Sequence, residues 1–408
     1  MLNQRLKISL SASFVGCCFA VGIGMGLLSR LQVKTPTDNA ISVETTAAPS
    51  ASTDSVKIPT ANKQKLAKSP VLRRATAEPA AIGVSRSIII QAVGDVIPGT
   101  NYPNHRLPAD YNQLIPKSVR AYLNRADLLF GNFETNLTNY PYSAKDISRG
   151  QVFAFRSPPA YSKLFADVGF DVFNIANNHA KDFGMQGFKD TVNNLKNVGI
   201  ETVGHKNEIL YLEKNNNKIA MIGFAPYDMY NSIHDLETAT SLVKKAREQA
   251  NIVIISMHAG AEGTGALHTK NQTEYFYGEN RGNSIKFART MIDAGADLVL
   301  GHGPHVPRAM EMYNGKLIAY SLGNFLGYRT LSTVAQAGYS MILEVKMTPE
   351  GNLEQAKIIP VRMDKQGIPY IDQNFNTVQL VRYLNKHDFP DSSVEINQKG
   401  ELIVANSQ

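Results

Sequence analysis

The chain has 408 residues, 43% of them hydrophobic, enough for one large core or two small ones. Its formal charge of +7 sits at the front: residues 1–87 carry eleven Lys/Arg and four Asp/Glu, whereas residues 88–408 carry thirty-one of each, so the body exerts no net pull on nucleic acid. Both cysteines, Cys17 and Cys18, lie in one apolar run, which excludes disulfides, thiolate zinc sites and cysteine nucleophiles from everything that follows.

Ile8 to Leu28 is a run of 21 uncharged residues behind Arg5 and Lys7. As a helix it reaches roughly 30 Å, one hydrocarbon core. Residues 1–31 therefore read as a transmembrane signal anchor. Arg30 and Lys34 balance the flanking charges, so orientation rests on the short N-terminus, which favours cytoplasmic retention of residues 1–7. A cleaved signal peptide and a lipoprotein modified at Cys17 also fit, although the run exceeds the usual signal-peptide length and Phe14-Val15-Gly16-Cys17 is a poor lipobox. All three readings place the body outside the cytoplasm, periplasmic or extracellular, and the first makes it a single-pass protein of the cell membrane. Residues 32–87 are rich in Thr, Ser, Ala, Pro and Lys and read as a disordered linker. Its basic residues from Lys57 to Arg74 are either solvated or touch an anionic wall polymer or lipid headgroups.

From residue 88 to 408 the pattern is that of one α/β domain. Strands are predicted at Ile88–Val93, Asp127–Phe130, Val172–Ile175, Lys218–Phe224, Ile252–Ser256 and Asp297–Leu300, and helices at about 160–168, 184–198, 238–250 and 284–294. Gly169, Gly199 and Gly295 fit helix C-terminal caps, and the alternation argues for βαβ units. After about residue 308 strands dominate. Ala309–Tyr313 and Lys316–Ser321 flank an Asn-Gly turn, Ser340–Met347 and Gln355–Arg362 form a second hairpin, and a helix is predicted near 376–387.

In open α/β sheets ligands sit beyond the carboxyl ends of the strands. Five predicted strands are followed there by acids, amides or imidazoles: Asp95; Asn132 and Glu134; Asn177, Asn178, His179 and Asp182; His258 and Glu262; His302 and His305. If the strands share one sheet, these groups meet at one rim. Oxygen and imidazole donors without Cys suit Mn, Fe, Zn or Mg. A carboxylate bridging two cations can serve phosphoryl displacement, with an unligated His protonating the leaving group.

Gly94-Asp95-Val96-Ile97-Pro98-Gly99, Gly131-Asn132-Phe133-Glu134-Thr135-Asn136-Leu137-Thr138, Asn174-Ile175-Ala176-Asn177-Asn178-His179, His258-Ala259-Gly260-Ala261-Glu262, Gly301-His302-Gly303-Pro304-His305-Val306 and Tyr320-Ser321-Leu322-Gly323-Asn324-Phe325 together resemble the successive motifs of the CapA family of poly-γ-glutamate capsule synthesis, over about residues 88–330. That family is similar to calcineurin-like metallophosphoesterases. The resemblance implies two packed β-sheets flanked by helices (αββα) and two divalent cations, Mn, Fe or Zn. It implies metal ligands Asp95, Glu134 (as bridge), Asn178, His258, His302 and His305, and His179 as the catalytic acid. Asn132, Asn177, Glu262, Arg281 and Asn324 are expected to bind substrate, Arg281 as a clamp for phosphate or carboxylate. Two positions depart from the pattern: the Asp-x-His motif has Ile97 in place of His, and Gly303 stands where many relatives have His.

Three functions fit. The first is metal-dependent hydrolysis or transfer at a phosphate ester or γ-amide of an anionic envelope polymer or its phosphorylated precursor. The second is a non-catalytic, membrane-anchored subunit that binds poly-γ-glutamate for export or attachment. The third is a structural partner of capsule-synthase subunits through its anchor helix.

Overall fold

The computed structural model describes residues 85–404; the expected anchor, the linker up to residue 84 and the last four residues lie outside them. Among the described residues no helix is long and apolar enough to cross a membrane.

Ile88–Ile97 is the organising strand. Successive side chains of a strand point to opposite faces, and both faces here are apolar. Ile88, Ile90 and Ala92 enter one hydrophobic cluster, and Val93 and Val96 enter another. The strand lies inside a ten-stranded sheet with the order Val394–Ile396, Glu401–Val404, Leu353–Met363, Tyr339–Met347, Ile88–Ile97, Leu128–Phe133, Val172–Asn174 and Glu201–Val203. Asn324–Gly327 also pairs with Ile88–Ile97, and Pro369–Ile371 with Leu353–Met363. From Ile88–Ile97 to Glu201–Val203 the pairing is parallel. A seven-stranded sheet runs Met310–Tyr313, Lys316–Ala319, Leu298–His302, Ile252–His258, Asn217–Ala225 and Leu210–Lys214, with Asn231–Ser232 beside Asn217–Ala225.

The two sheets pack face to face. Ile88, Ile90, Leu128, Phe130 and Val172 of the first meet Ile219, Met221, Ile252, Ile254, Leu298 and Leu300 of the second in one cluster. The alternate residues Val253, Ile255 and Val299 turn outward onto Leu236–Gln249 and Ser284–Asp293. On the far side Phe133 and Phe173 pack on Phe165 of the helix Ser162–Val168 and on Phe170. Strands covered on both faces read as near-continuous apolar runs, which is why they were visible in the sequence. The layers are helix, sheet, sheet, helix. The helices end at Gly169, Gly199 and Gly295, each with positive φ, and Asn314-Gly315 forms the expected turn with φ of 47° and 73°.

The five polar strand ends do not share a sheet. Ile88–Ile97, Leu128–Phe133 and Val172–Asn174 belong to the first sheet, and Ile252–His258 and Leu298–His302 to the second.

Arg308 clasps the loops at this end of the sandwich. It is fully buried and bonds both oxygens of Glu274, at 2.8 and 2.7 Å, and the Ala261 carbonyl at 3.0 Å. Glu274 in turn accepts from Ala261 N at 3.0 Å. Removing one partner of a buried pair leaves an uncompensated charge, at a cost of about 3–5 kcal/mol. Arg308→Ala is expected to lower unfolding free energy by that amount in a denaturant titration, and a loss under about 1 kcal/mol would refute the clasp.

Candidate metal centre

Asp95 is placed by a close crossing of backbones. A Cβ on Gly94 would lie 1.9 Å from the Gly323 carbonyl oxygen, so only glycine fits there. The Gly323 carbonyl accepts from Asp95 N at 2.9 Å. The register with neighbouring strands shifts at Asp95, a local irregularity of the kind that re-aims side chains beside functional sites. Asn324, Asp95, Asn132 and Asn174 are register partners on four adjacent parallel strands. Their amides form a buried relay. Asn132 Nδ2 donates to Asp95 Oδ1 at 2.8 Å, while Asn132 Oδ1 accepts from Asn174 Nδ2 at 2.9 Å and Asn177 Nδ2 at 3.2 Å. Asn177 also donates to the Phe133 carbonyl and accepts from His179 N.

Beyond Asp95 the groups lack partners. Glu134 is fully buried, and neither carboxylate oxygen has a hydrogen-bond partner among the described residues. The same holds for His258 Nε2, His302 Nδ1 and Asn178 Oδ1. His258 Nε2 lies 4.0 Å and His305 Nε2 3.8 Å from Glu134 Oε1. His305 has φ of +58°, a strained conformation of the sort that gathers at functional sites. Its Nδ1 lies 2.8 Å from Asn324 Oδ1 and 3.0 Å from Asp95 Oδ2. Both are acceptors, so Nδ1 donates, and Nε2 is the ring nitrogen turned toward Glu134. His302 Nε2 donates to the Val93 carbonyl at 3.1 Å, which leaves Nδ1 without a hydrogen-bond partner among the described residues. One donor atom each from Asp95, Glu134 and His305 lies within 4.8 Å of the others.

The electrostatics follow. Burial pushes the Glu134 carboxyl well up, aided by Asp95 and Glu262 and opposed by His305 and Arg281. Burial also works against ionised Asp95, but the hydrogen bond and charge of His305, with His302 and His258, hold it below the usual carboxylate range. Burial pushes His258 well down. It opposes protonated His305 too, yet Glu134, Asp95 and Glu262 outweigh it and hold that imidazole well above the usual range. Buried oxygens and imidazole lone pairs without partners fit divalent cations.

His179 is organised separately. Its Nδ1 lies 2.8 Å from Asp182 Oδ2, and its ring packs on Phe155 at 4.6 Å. Asp182 is fully buried, accepts from Phe155 N at 2.7 Å and pairs with Lys145 at 2.6 Å. With Nδ1–H given to Asp182, Nε2 is the ring nitrogen left to exchange a proton with another group. Burial pushes His179 down, partly offset by Asp182.

The expected substrate residues are placed differently. Asn132, Asn177 and Asn324 are buried behind the site, their amides consumed by Asp95, Phe133, His305 and each other, so they position other groups rather than face a substrate. Glu262 and Arg281 are paired at 2.9 Å, and Arg281 lies 3.0 Å from Glu279, with the Phe276 ring alongside. Arg281 is therefore held by two carboxylates. Sequence reasoning assigned no role to Asp182 or Lys145; Asp182 stands three residues after His179, and that spacing was the available signal.

The family model described as bacterial capsule synthesis protein PGA_cap matches residues 89–329. The PGA biosynthesis protein CapA of Bacillus subtilis (strain 168) is 31% identical over 51% of this chain and 55% of its own length. The capsule biosynthesis protein CapA of Bacillus anthracis is 28% identical over 59% and 60%. The chain thus spans a little over half the length of these curated relatives. Among solved structures, a 5′-nucleotidase precursor from Thermus thermophilus matches with a TM-score of 0.41 and 12% identity, over 74% of this chain and 59% of that one. The PGA_cap match covers more than half of the sequence, and the chain belongs to this CapA family of poly-γ-glutamate capsule synthesis proteins.

Proposed function

We propose that this chain serves capsule synthesis outside the cytoplasm as a metal-dependent hydrolase or transferase of the calcineurin-like type. Its substrate is a γ-amide or phosphate ester of poly-γ-glutamate or its envelope precursor. The supporting observation is the grouping of Asp95, Glu134 and His305 within 4.8 Å, with His258 Nε2 4.0 Å from Glu134 and with buried donor atoms of Glu134 and His258 that lack a hydrogen-bond partner among the described residues. Unpaired buried donors are costly, and cations remove that cost. Divalent cations held by these residues would polarise a phosphoryl or carbonyl oxygen.

The protein's own contribution is proton handling. His179 lies one residue from Asn178, and its Nε2 can give a proton to the leaving oxygen or nitrogen. Asp182 fixes the ring through Nδ1, and Phe155 shields that contact from water. The geometry favours catalysis over passive polymer binding because a buried His–Asp pair stands beside the donors.

Two expectations follow. Wild-type full chain in detergent should gain thermal stability on adding Mn²⁺ or Zn²⁺, by about 2.7 kcal/mol at a hundredfold excess over Kd. Glu134→Gln should show no such gain. In the Mn²⁺-loaded protein, His179→Ala should lower turnover of poly-γ-glutamate or p-nitrophenyl phosphate by about 10²–10⁴-fold while leaving bound metal unchanged, with Asp182→Asn shifting in the same direction. Absence of turnover of both probes by the wild type would remove the catalytic reading.

A further inference from the structure

His258 Nε2 lies 4.0 Å from Glu134 Oε1, and Asn178 Oδ1 and His302 Nδ1 are further buried donors without a hydrogen-bond partner among the described residues. A first-row divalent cation commonly takes four donors. Asp95, Glu134 and His305 bring three together within 4.8 Å. Ile97, the position along the strand where the CapA-like motif departs from Asp-x-His, offers none. Gly303 cannot help either. Its φ is +105°, and a Cβ there would lie 3.0 Å from His258 Nε2.

The structure brings a further carboxylate to this group of three. Glu262 Oε2 lies 3.6 Å from His305 Nε2. Two ligand atoms at about 2.1 Å from one cation stand roughly 3–3.5 Å apart, so this spacing needs only a small closure. The other oxygen, Oε1, forms an ion pair with Arg281 Nη2 at 2.9 Å, and Arg281 is itself buried and paired with Glu279 at 3.0 Å. A ligand carboxylate oriented through its second oxygen is the usual arrangement around a protein-bound metal. Glu262 also sits four residues past His258, on the loop that Arg308 fixes through the Ala261 carbonyl.

We propose that Glu262 is the fourth protein ligand of the cation held by Asp95, Glu134 and His305, taking the place of the imidazole that position 97 lacks, with Arg281 positioning it. This rests on the metal-dependent reading above and extends it to a residue expected from the sequence to bind substrate. Glu262 is then a metal ligand, and removing it affects one cation and leaves the other.

The test is Mn²⁺ binding by the full chain in detergent, measured by equilibrium dialysis and elemental analysis, with circular dichroism as the check on folding. Wild type should bind two Mn²⁺. Glu262→Gln should retain one and weaken the other by at least about tenfold. Glu279→Gln, which takes the other carboxylate from Arg281, should bind as wild type does. Equal Mn²⁺ binding by wild type and Glu262→Gln would overturn the proposal. So would an equal loss in Glu279→Gln, because the effect would then run through Arg281 alone. A wild type that binds no Mn²⁺ would instead overturn the metal-dependent reading itself.

Discussion

Asp95 and Glu134 are carboxylates with no access to water, and the cost of burying their charge governs the architecture around them. Burying an ion costs several kcal/mol even after relaxation. Asp95 meets that cost with protein groups: an amide from Asn132 on one oxygen and the His305 imidazole on the other. Glu134 has no such answer. Among the described residues both its oxygens lack a hydrogen-bond partner, and the imidazole atoms His305 Nε2 and His258 Nε2 stand at 3.8 and 4.0 Å from Oε1. A carboxylate left that way must take up a proton or a cation, and the rise in its proton affinity is the apo form of that demand.

The two-sheet sandwich is what makes such a site possible. One sheet delivers Asp95, Asn132 and Asn174 at a common level on adjacent parallel strands. The other delivers His258 and His302 as register partners. Oxygen donors therefore come mainly from one sheet and nitrogen donors from the other, and they meet where the carboxyl ends of both sheets open. His302 works on both sides of the divide. Its Nε2 bonds the Val93 carbonyl of the opposite sheet, so the contact that ties the sheets together also aims Nδ1.

Much of this was legible in the sequence because the signals are local. Ile88–Val93 and Ile252–Ser256 are apolar on both faces and short, and three of the predicted helices are followed by Gly169, Gly199 and Gly295. The polar residues were found because they directly follow such runs. Sheet membership was not legible, because pairing partners such as His258 and His302 are forty-four positions apart and nothing local distinguishes one parallel sheet from two. The burial of Asn132, Asn177 and Asn324 was not legible for a related reason. Asparagine is ordinarily exposed, so an Asn beside a site looks like a substrate contact. Its burial as a relay becomes visible only with its partners. Short strands such as Asn324–Gly327 and Glu201–Val203 are too brief to show a period of two.

Gly303 and His305 show how closely this end of the fold is constrained. His305 holds φ of +58°, a conformation that costs a non-glycine residue about 1–3 kcal/mol. Asn324 stabilises it from both ends, accepting from the ring nitrogen and donating to the main-chain carbonyl. Two residues earlier, Gly303 packs against His258 so closely that any side chain would press on Nε2, the atom left without a partner. The segment between His302 and His305 is therefore shaped by the needs of three imidazoles. An extra ligand cannot enter there without displacing one already present. On a separate loop, Glu262 Oε2 lies 3.6 Å from His305 Nε2, which stands 3.8 Å from Glu134 Oε1.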